Sequence, residues 1–209
     1  MLWDSRNKAR NEAAAPAAAL TDVGQLFPTK ALGKFVASLT SRESPVLMDL
    51  GPVVGSNVTF FGERLGCKII LEDLFADLER HSRSAGSPFA EFLKGRLKHD
   101  PASVDGILCW NFFDYLEPAA AQVLAAALTR LLRQDGALLA FFTTVGVPDG
   151  RFSKYVIVGE DSLKQRPYSA GGKRQTALQN RDIIRMFEGL KVSESFLLKL
   201  LSVSGFHPS

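Results

Sequence analysis

The sequence predicts an α/β fold: a doubly wound, mostly parallel sheet with helices on both faces and closing antiparallel strands at the C-terminus. Short runs that are apolar at every position alternate with amphipathic stretches through residues 29–145. A strand that is apolar throughout is covered on both faces, as in a parallel sheet between two layers of helices. Glycines and acids follow several of these runs directly, at the strand ends where such sheets bind ligands.

The size and composition favour one globular domain. The chain has 209 residues, of which 46% are hydrophobic, and this is enough to bury one sizeable core. The Ala-rich, charged start of the chain predicts a mobile or loosely helical segment over residues 1–28, followed by a single domain over residues 29–209. The net charge of +3 permits a nucleic-acid partner without demanding one, since such binders concentrate their basic residues in a stripe.

The sequence predicts a cytoplasmic protein without membrane contact. Its first residues carry charges where a signal peptide has an apolar centre, and no run reaches the roughly 18 apolar residues that span a bilayer. Cys67 and Cys109 both lie in apolar runs and lack the spacing of zinc ligands. Buried thiols and no metal site are therefore expected.

The first half of the predicted domain alternates helices and strands. Apolar residues at three- and four-residue spacing predict a helix opening at Thr29, and Pro45 then precedes a strand over 46–50. The stretch SNVTFFGERLG predicts a short helix that Gly66 ends, and CKIIL predicts a buried strand. Helical spacing returns in EDLFADLERH and SPFAEFLKGRL, before another strand in VDGILCWNFF.

The second half begins with the clearest helix of the chain. Glu117 and Pro118 open the stretch EPAAAQVLAAALTRLLRQDG and Gly136 closes it, before a strand in ALLAFFTTV. A further strand is predicted near Tyr155–Val158, followed by a polar, basic loop over residues 164–176 that is expected to cover the site as a mobile lid. A helix in NRDIIRMFEGL and closing strands in KVSESFLLKLL complete the prediction.

Two neighbouring strand ends carry the main functional signal. Asp49, Gly51 and Gly55 follow the first predicted strand, and Glu72 and Asp73 follow the second. Glycines let backbone approach a ligand closely, and an acid at the next strand end can accept both hydroxyls of a ribose. These residues predict a site for a nucleoside-like ligand with a polar tail. Structural roles stay open, because Asp49 could cap its loop and one acid of the later pair could cap a helix.

The third strand end adds aromatic and polar side chains. Trp110, Phe112, Phe113 and Tyr115 are expected to divide between the wall of a ligand pocket and the core. The chain also places Asn111 and Asp114 in this stretch.

Four stretches resemble the Rossmann-like, class I S-adenosylmethionine-dependent methyltransferases. VLMDLGPVVGSN, KIILEDL, VDGILCWNFFDYL and LLRQDGALLAFF follow that family in order and spacing over about residues 42–145. The resemblance implies S-adenosylmethionine as cofactor, with Asp49, Gly51 and Gly55 around its methionine part and Glu72 or Asp73 on its ribose. Val53 stands where the family has a middle glycine.

The resemblance also implies roles for the stretch after the third strand, which in this family faces the transferring methyl group. Trp110 would then line the cofactor, Asn111 would orient an acceptor through its amide, and Asp114 would take a proton. Methyl transfer from a sulfonium otherwise asks mainly for positioning and for exclusion of water.

Other cofactor classes fit the sequence less well. The first strand is followed by D-x-G-x-x-x-G, without the G-x-G pair of dinucleotide dehydrogenases, and no Gly-Lys-Ser/Thr follows as in a P-loop. Three functions are weighed: a methyltransferase with a small-molecule or protein acceptor, an RNA methyltransferase favoured by the basic loop, and a non-catalytic domain that kept the fold. The acceptor and the oligomeric state stay open.

Overall fold

The computed structural model describes residues 24–84, 86–143, 151–171, 178–198 and 201–208. Within these residues, six strands form one sheet: β2 (Val46–Asp49), β3 (Lys68–Leu71), β4 (Val104–Trp110), β5 (Leu132–Thr143), β8 (Leu190–Leu198) and β9 (Leu201–Pro208). Their order across the sheet is β3-β2-β4-β5-β9-β8. The first four strands pair in parallel, and β9 joins β5 antiparallel. The predicted parallel sheet with closing antiparallel strands is confirmed.

Helices cover both faces of this sheet. One face packs against α1 (Lys30–Thr40) and against α2 (Gly55–Val58), which continues as a π-helical stretch over Thr59–Arg64. The opposite face packs against α3 (Leu74–Ser82), α4 (Phe89–Arg96), α5 (Pro118–Leu131) and α6 (Asn180–Met186). The seven residues of β4 are all buried, as expected for a strand between two helical layers. None of the helices among the described residues has the length and apolar character to cross a membrane.

A second sheet packs against side chains of both helical layers. Strands β1 (Gln25–Pro28), β7 (Ser162–Gly171) and β6 (Arg151–Gly159) pair antiparallel in the order β1-β7-β6. Side chains of β6 and β7 join the same buried cluster as α1, so this sheet is packed onto the domain. Asn57 of α2 fastens it, since its amide donates to the carbonyl of Tyr155 and accepts from the N–H of Ile157, both at 2.8 Å.

Two sequence predictions change here. The N-terminal segment was expected to extend to residue 28, yet residues 25–28 form β1, while residues 1–23 lie outside the described residues. The predicted basic loop over 164–176 was wrong for its first part, because residues 162–171 form β7. Polar residues can form this strand because it lies in a hairpin with β6, whose apolar side chains supply the burial. The rest of the predicted mobile cover, residues 172–176, lies outside the described residues.

Most helix boundaries lie close to the predicted ones, but the prediction that Gly136 ends the long helix is wrong: α5 ends at Leu131, and Gly136 lies inside β5. Thr29 is the N-cap of α1, and Gly66 and Gly189 adopt positive φ angles of 66° and 93° just after their helices. The predicted stretch SNVTFFGERLG begins one residue inside the short helix, which starts at Gly55 with Val54 as its N-cap. Glu117 holds the N-cap position of α5 without a side-chain capping bond.

Candidate functional site

The carboxyl ends of β2, β3 and β4 meet at one edge of the sheet. Backbone hydrogen bonds continue the pairing past the strands: the N–H of Glu72 donates to the carbonyl of Asp49 at 2.9 Å, and that of Leu50 donates to Leu108 at 3.0 Å. The parallel register thus brings the residues that follow all three strands together, as the sequence predicted. This edge is where open α/β sheets bind ligands.

Asp49 is a buried carboxylate at the centre of this edge. Its Oδ1 accepts hydrogen bonds from the N–H of Gly51 at 2.8 Å and from the indole Nε1–H of Trp110 at 2.6 Å. Burial raises the pKa of Asp49 from 3.8 to about 6, although the two hydrogen bonds lower it and the nearby Asp73 raises it further. Asp49 therefore orders the loop and titrates close to neutral pH.

The Trp110 indole lies directly on Gly51. A Cβ atom placed on Gly51 would sit 2.4 Å from Cδ1 and 2.5 Å from Nε1 of the indole, so only glycine fits beneath it. The indole also stacks on the Tyr155 ring of β6, with centroids 5.5 Å apart and planes 5° apart, and its edge meets Phe141. Trp110 is only 3% exposed. The space that Gly51 leaves is thus filled by the protein's own side chain.

The other end of the glycine loop is open. A Cβ atom on Gly55 would meet no atom within 4 Å, and Gly55 opens α2 at the surface. The Val53 side chain is 50% exposed, so it projects toward solvent and not into the core. The loop therefore presents open backbone over 53–55 and a covered backbone at Gly51.

Glu72 is held by basic side chains. Its carboxylate pairs with Arg96 of α4 and with the ring of His99, and the Arg96 guanidinium also donates to the Glu72 carbonyl at 2.9 Å. The same guanidinium reaches Asp77 of α3 at 2.7 Å. Glu72 is buried, so this pairing meets the cost of keeping its charge out of water. The predicted ribose acid thus anchors α4 against the end of β3.

Asp73 is the more accessible acid of the pair. It is the N-cap of α3, where its Oδ1 accepts from the N–H of Ala76 at 3.2 Å, and its φ of 35° is left-handed. Partial burial raises the pKa of its carboxyl, against the opposing effects of that hydrogen bond and of the Lys154 ammonium. Its Oδ2 has no hydrogen-bond partner among the described residues. The expectation that one acid of the pair caps a helix is confirmed.

The four aromatic residues at and after the end of β4 are all buried. Trp110, Phe112, Phe113 and Tyr115 are each at most 3% exposed, so all four pack in the interior, and Tyr115 also lines a cavity. Phe112 joins Phe75, while Tyr115 meets both Phe75 and Phe152 of β6 edge-on.

Asn111 and Asp114 are buried beside these rings. The Asn111 amide donates to the Tyr115 hydroxyl at 3.3 Å, and its Oδ1 has no hydrogen-bond partner among the described residues. Asp114 accepts from the N–H and the hydroxyl of Thr143 at 3.0 Å and 2.6 Å. Asp114 therefore connects the stretch after β4 to the end of β5. The Oδ1 atom of Asn111 is a buried acceptor that lacks a hydrogen bond among the described residues.

A cavity of about 330 Å³ opens beside this edge. It lies between α3, α4 and the start of α5, and its walls are mostly apolar and aromatic, with Glu79 and Glu117 among the polar groups. Lining residues include Leu78, His81, Phe89, Tyr115, Ala120 and Phe152. Tyr115 links the cavity to Asn111, and Phe152 lies on the same strand as Tyr155.

Several residues of the site could not be identified from sequence. Tyr155 was expected as part of a strand, and nothing in its neighbourhood indicates that it stacks on Trp110. Arg96 ends an amphipathic helix, where a basic residue is ordinary. Nothing in the sequence around His99 indicates a partner, yet its ring contacts the Glu72 carboxylate. The one available signal is general: a buried acid such as Glu72 needs a basic partner, although the sequence does not show which residue supplies it. Among the described residues, no group of three or more His, Cys, Asp or Glu side chains is arranged to hold a metal ion.

Comparison with solved structures places this arrangement in a known fold. The 1,6-didemethyltoxoflavin-N1-methyltransferase of Burkholderia thailandensis, solved with 1,6-didemethyltoxoflavin and S-adenosylhomocysteine bound, is similar with a TM-score of 0.52 and 15% identity. The alignment covers 86% of this chain and 79% of that one. At this identity the likeness establishes the fold: the chain has the Rossmann-like fold of that methyltransferase, as predicted.

Two further methyltransferases are also similar to the chain. A TehB-like S-adenosylmethionine-dependent methyltransferase of Corynebacterium glutamicum has a TM-score of 0.49 at 13% identity, covering 86% of this chain and 88% of that one. The CcbJ methyltransferase of Streptomyces caelestis has a TM-score of 0.48 at 15% identity, covering 86% and 94%. No protein-family model and no curated protein matches the chain.

Proposed function

We propose that the chain is an S-adenosylmethionine-dependent methyltransferase that acts on a small-molecule acceptor. This proposal rests mainly on one observation: the glycine loop, Asp49 and Asp73 lie together at the carboxyl edge of the parallel sheet. The fold is shared with a methyltransferase that was solved with S-adenosylhomocysteine bound. The cofactor, when bound, supplies a methyl group on a sulfonium.

The open part of the edge fits such a ligand. Gly55 offers backbone with no atom in the way, and the Oδ2 of Asp73 has no hydrogen-bond partner among the described residues. Glycine backbone and a strand-end carboxylate are the groups that approach a nucleoside in folds of this class. Asp73 is therefore the better of the two acids for a ribose, because Glu72 is engaged by Arg96 and His99.

The covered part of the edge does not fit the ligand as it stands. The Trp110 indole occupies the space above Gly51, and the same indole holds Asp49. In this proposal Asn111 has the role of orienting the acceptor, since its Oδ1 is buried without a partner among the described residues. Asp114 positions the stretch through Thr143.

The cavity between α3, α4 and α5 supports a small-molecule acceptor. Its volume of about 330 Å³ is in the range of small-ligand sites, and its aromatic walls suit a planar compound. Tyr115 places the cavity next to Asn111. The RNA alternative is weaker, because its basic loop is a strand through residue 171.

Calorimetric titration with S-adenosylhomocysteine tests the proposal. We expect saturable binding to the wild-type protein, weakened at least about tenfold in Asp73→Asn by loss of a charge-assisted hydrogen bond. Asparagine is as good an N-cap as aspartate, so α3 should remain intact. Glu63→Gln, on the exposed end of the π-helical stretch, is the matched control and should bind like wild type. Equal affinity of all three proteins would remove Asp73 from the site.

A non-catalytic domain is the second candidate. Two observations favour it: the Trp110 indole covers Gly51, and Arg96 pairs with the Glu72 carboxylate, so two groups that a ligand would contact are already engaged. Binding of neither S-adenosylmethionine nor S-adenosylhomocysteine, in wild type and in variants that remove the indole, would favour this candidate.

A further inference from the structure

The position of Trp110 is not set by ordinary strand geometry. Trp110 has a φ of 50°, a left-handed conformation that is strained for a bulky residue and persists only where its surroundings enforce it. The pairing of β4 with β5 shifts register between Leu108 and Trp110, and such irregularities turn a side chain away from its regular direction. The last residue of β4 is thus turned so that its indole covers Gly51.

Two contacts hold the indole in this position. Its N–H donates to the buried Asp49 carboxyl at 2.6 Å, and its ring lies flat on Tyr155. Tyr155 belongs to the second sheet, which Asn57 ties to α2, the helix that follows the glycine loop. The indole therefore lies between the loop on one side and β6 on the other. A ligand that binds over Gly51 would have to displace the indole and so break both contacts.

We propose that Trp110 is a built-in plug of the ligand cleft, and that a nucleoside ligand binds over Gly51 only when the indole leaves Asp49 and Tyr155. The proposal rests on the proposed function, because it takes the edge over Gly51–Gly55 as the ligand site. It explains why the loop is open at Gly55 but covered at Gly51: the indole covers Gly51 only while no ligand is bound. Because only open molecules can bind, the apparent affinity equals the affinity of the open form multiplied by the fraction of molecules that are open.

Loosening the plug should then tighten binding. Tyr155→Leu removes the stacked ring without touching Gly51 and should strengthen S-adenosylhomocysteine binding about fivefold. Tyr155→Phe keeps a ring for the indole to stack on and is the matched control, with unchanged affinity. Trp110→Leu removes the plug itself and should bind more tightly than Tyr155→Leu. Unfolding by urea is measured for each variant, so that affinities are compared between folded proteins.

Fluorescence supplies a readout that needs no variant of the site. The chain has two tryptophans, and Trp3→Phe leaves Trp110 as the sole emitter. On titration with S-adenosylhomocysteine, Trp110 emission should move to longer wavelength and become accessible to acrylamide quenching, because the indole passes from 3% exposure into water. The half-saturation of this change should match the calorimetric one.

The outcomes separate the plug from the function it rests on. Binding with unchanged Trp110 emission and quenching would overturn the plug and leave the methyltransferase proposal standing. Binding that appears only in Trp110→Leu or Tyr155→Leu would support a plug that is firmly closed in wild type. Absence of binding in wild type and in both leucine variants would overturn the plug together with the proposed function.

Discussion

Replacement of Gly51 by alanine should destabilise the protein far more than the same replacement at Gly55. The new methyl group at residue 51 would lie 2.4 Å from the indole Cδ1 and 3.1 Å from Oδ1 of Asp49. Carbon atoms in contact need about 3.5 Å, so the indole must move by roughly 1 Å. At Gly55 no atom lies within 4 Å of the added methyl group.

The magnitude follows from what the indole loses. Forcing a methyl group into a packed site costs about 1–3 kcal/mol. Weakening the hydrogen bond from Trp110 to the Asp49 carboxyl adds a loss of order 1 kcal/mol. We therefore expect Gly51→Ala to lower the free energy of unfolding by about 2–4 kcal/mol. Gly55→Ala should be neutral or stabilising by up to about 1 kcal/mol, because alanine is favoured over glycine in a helix.

Urea unfolding followed by circular dichroism measures both variants against wild type. The clash is identified by a double-mutant cycle in which Gly51→Ala is combined with Trp110→Leu. Because the shorter side chain gives way, the alanine should cost less in the leucine background than in wild type. Equal stability of Gly51→Ala and Gly55→Ala, or a cycle without coupling, would refute the packing of Trp110 on Gly51.

Three further predictions concern charge and the glycine loop. Burial raises the pKa of Asp49 from 3.8 to about 6, so its contribution to stability is full below about pH 3.8 and is lost as the pH rises through 6. The unfolding free energy of wild type relative to Asp49→Asn should fall by about 2 kcal/mol between pH 4 and pH 7, and a flat difference would contradict the burial. Arg96→Met removes the guanidinium that joins Glu72 to Asp77, leaving Glu72 with His99 and Asp77 with Arg80, and should cost about 2–4 kcal/mol in urea unfolding. Removal of the exposed Lys94 pair should cost under about 0.5 kcal/mol. Val53→Gly should change S-adenosylhomocysteine affinity in calorimetry by less than about threefold, because the valine side chain projects to solvent, and a marked tightening would show that it crowds the ligand.

Most of the main sheet could be predicted because several of its strands are apolar at every position, although β3, expected to be buried, lies at the sheet edge and is partly exposed. The run ending at Trp110 is buried at every position, and a run of this kind has few alternatives. The strand over 162–171 could not be predicted in this way. Its sequence is polar and contains Pro167, and it is a strand because β6 pairs with it. Hairpin pairing of this kind leaves little trace in periodicity.

The site was predictable in place and not in its contacts. Parallel pairing takes Asp49 and Asp73 to one edge as soon as the strands are assigned. The engagement of Glu72 by Arg96, and of Trp110 by Tyr155, depends on side chains far apart in the sequence. Such contacts follow from the packing of helices and of the second sheet on the edge, which local sequence does not encode.

The indole N–H resonance of Trp110 tests the closed cleft and its ligand most directly. Two-dimensional ¹H–¹⁵N spectra of the wild-type protein are recorded during titration with S-adenosylhomocysteine, and Trp110→Leu assigns the signal. We expect a resonance displaced by the hydrogen bond to Asp49 in the absence of ligand, and its movement toward the position of a solvated indole as ligand saturates the protein. A resonance that stays in place at saturating ligand, in a sample that calorimetry shows to be bound, would contradict the displacement of Trp110.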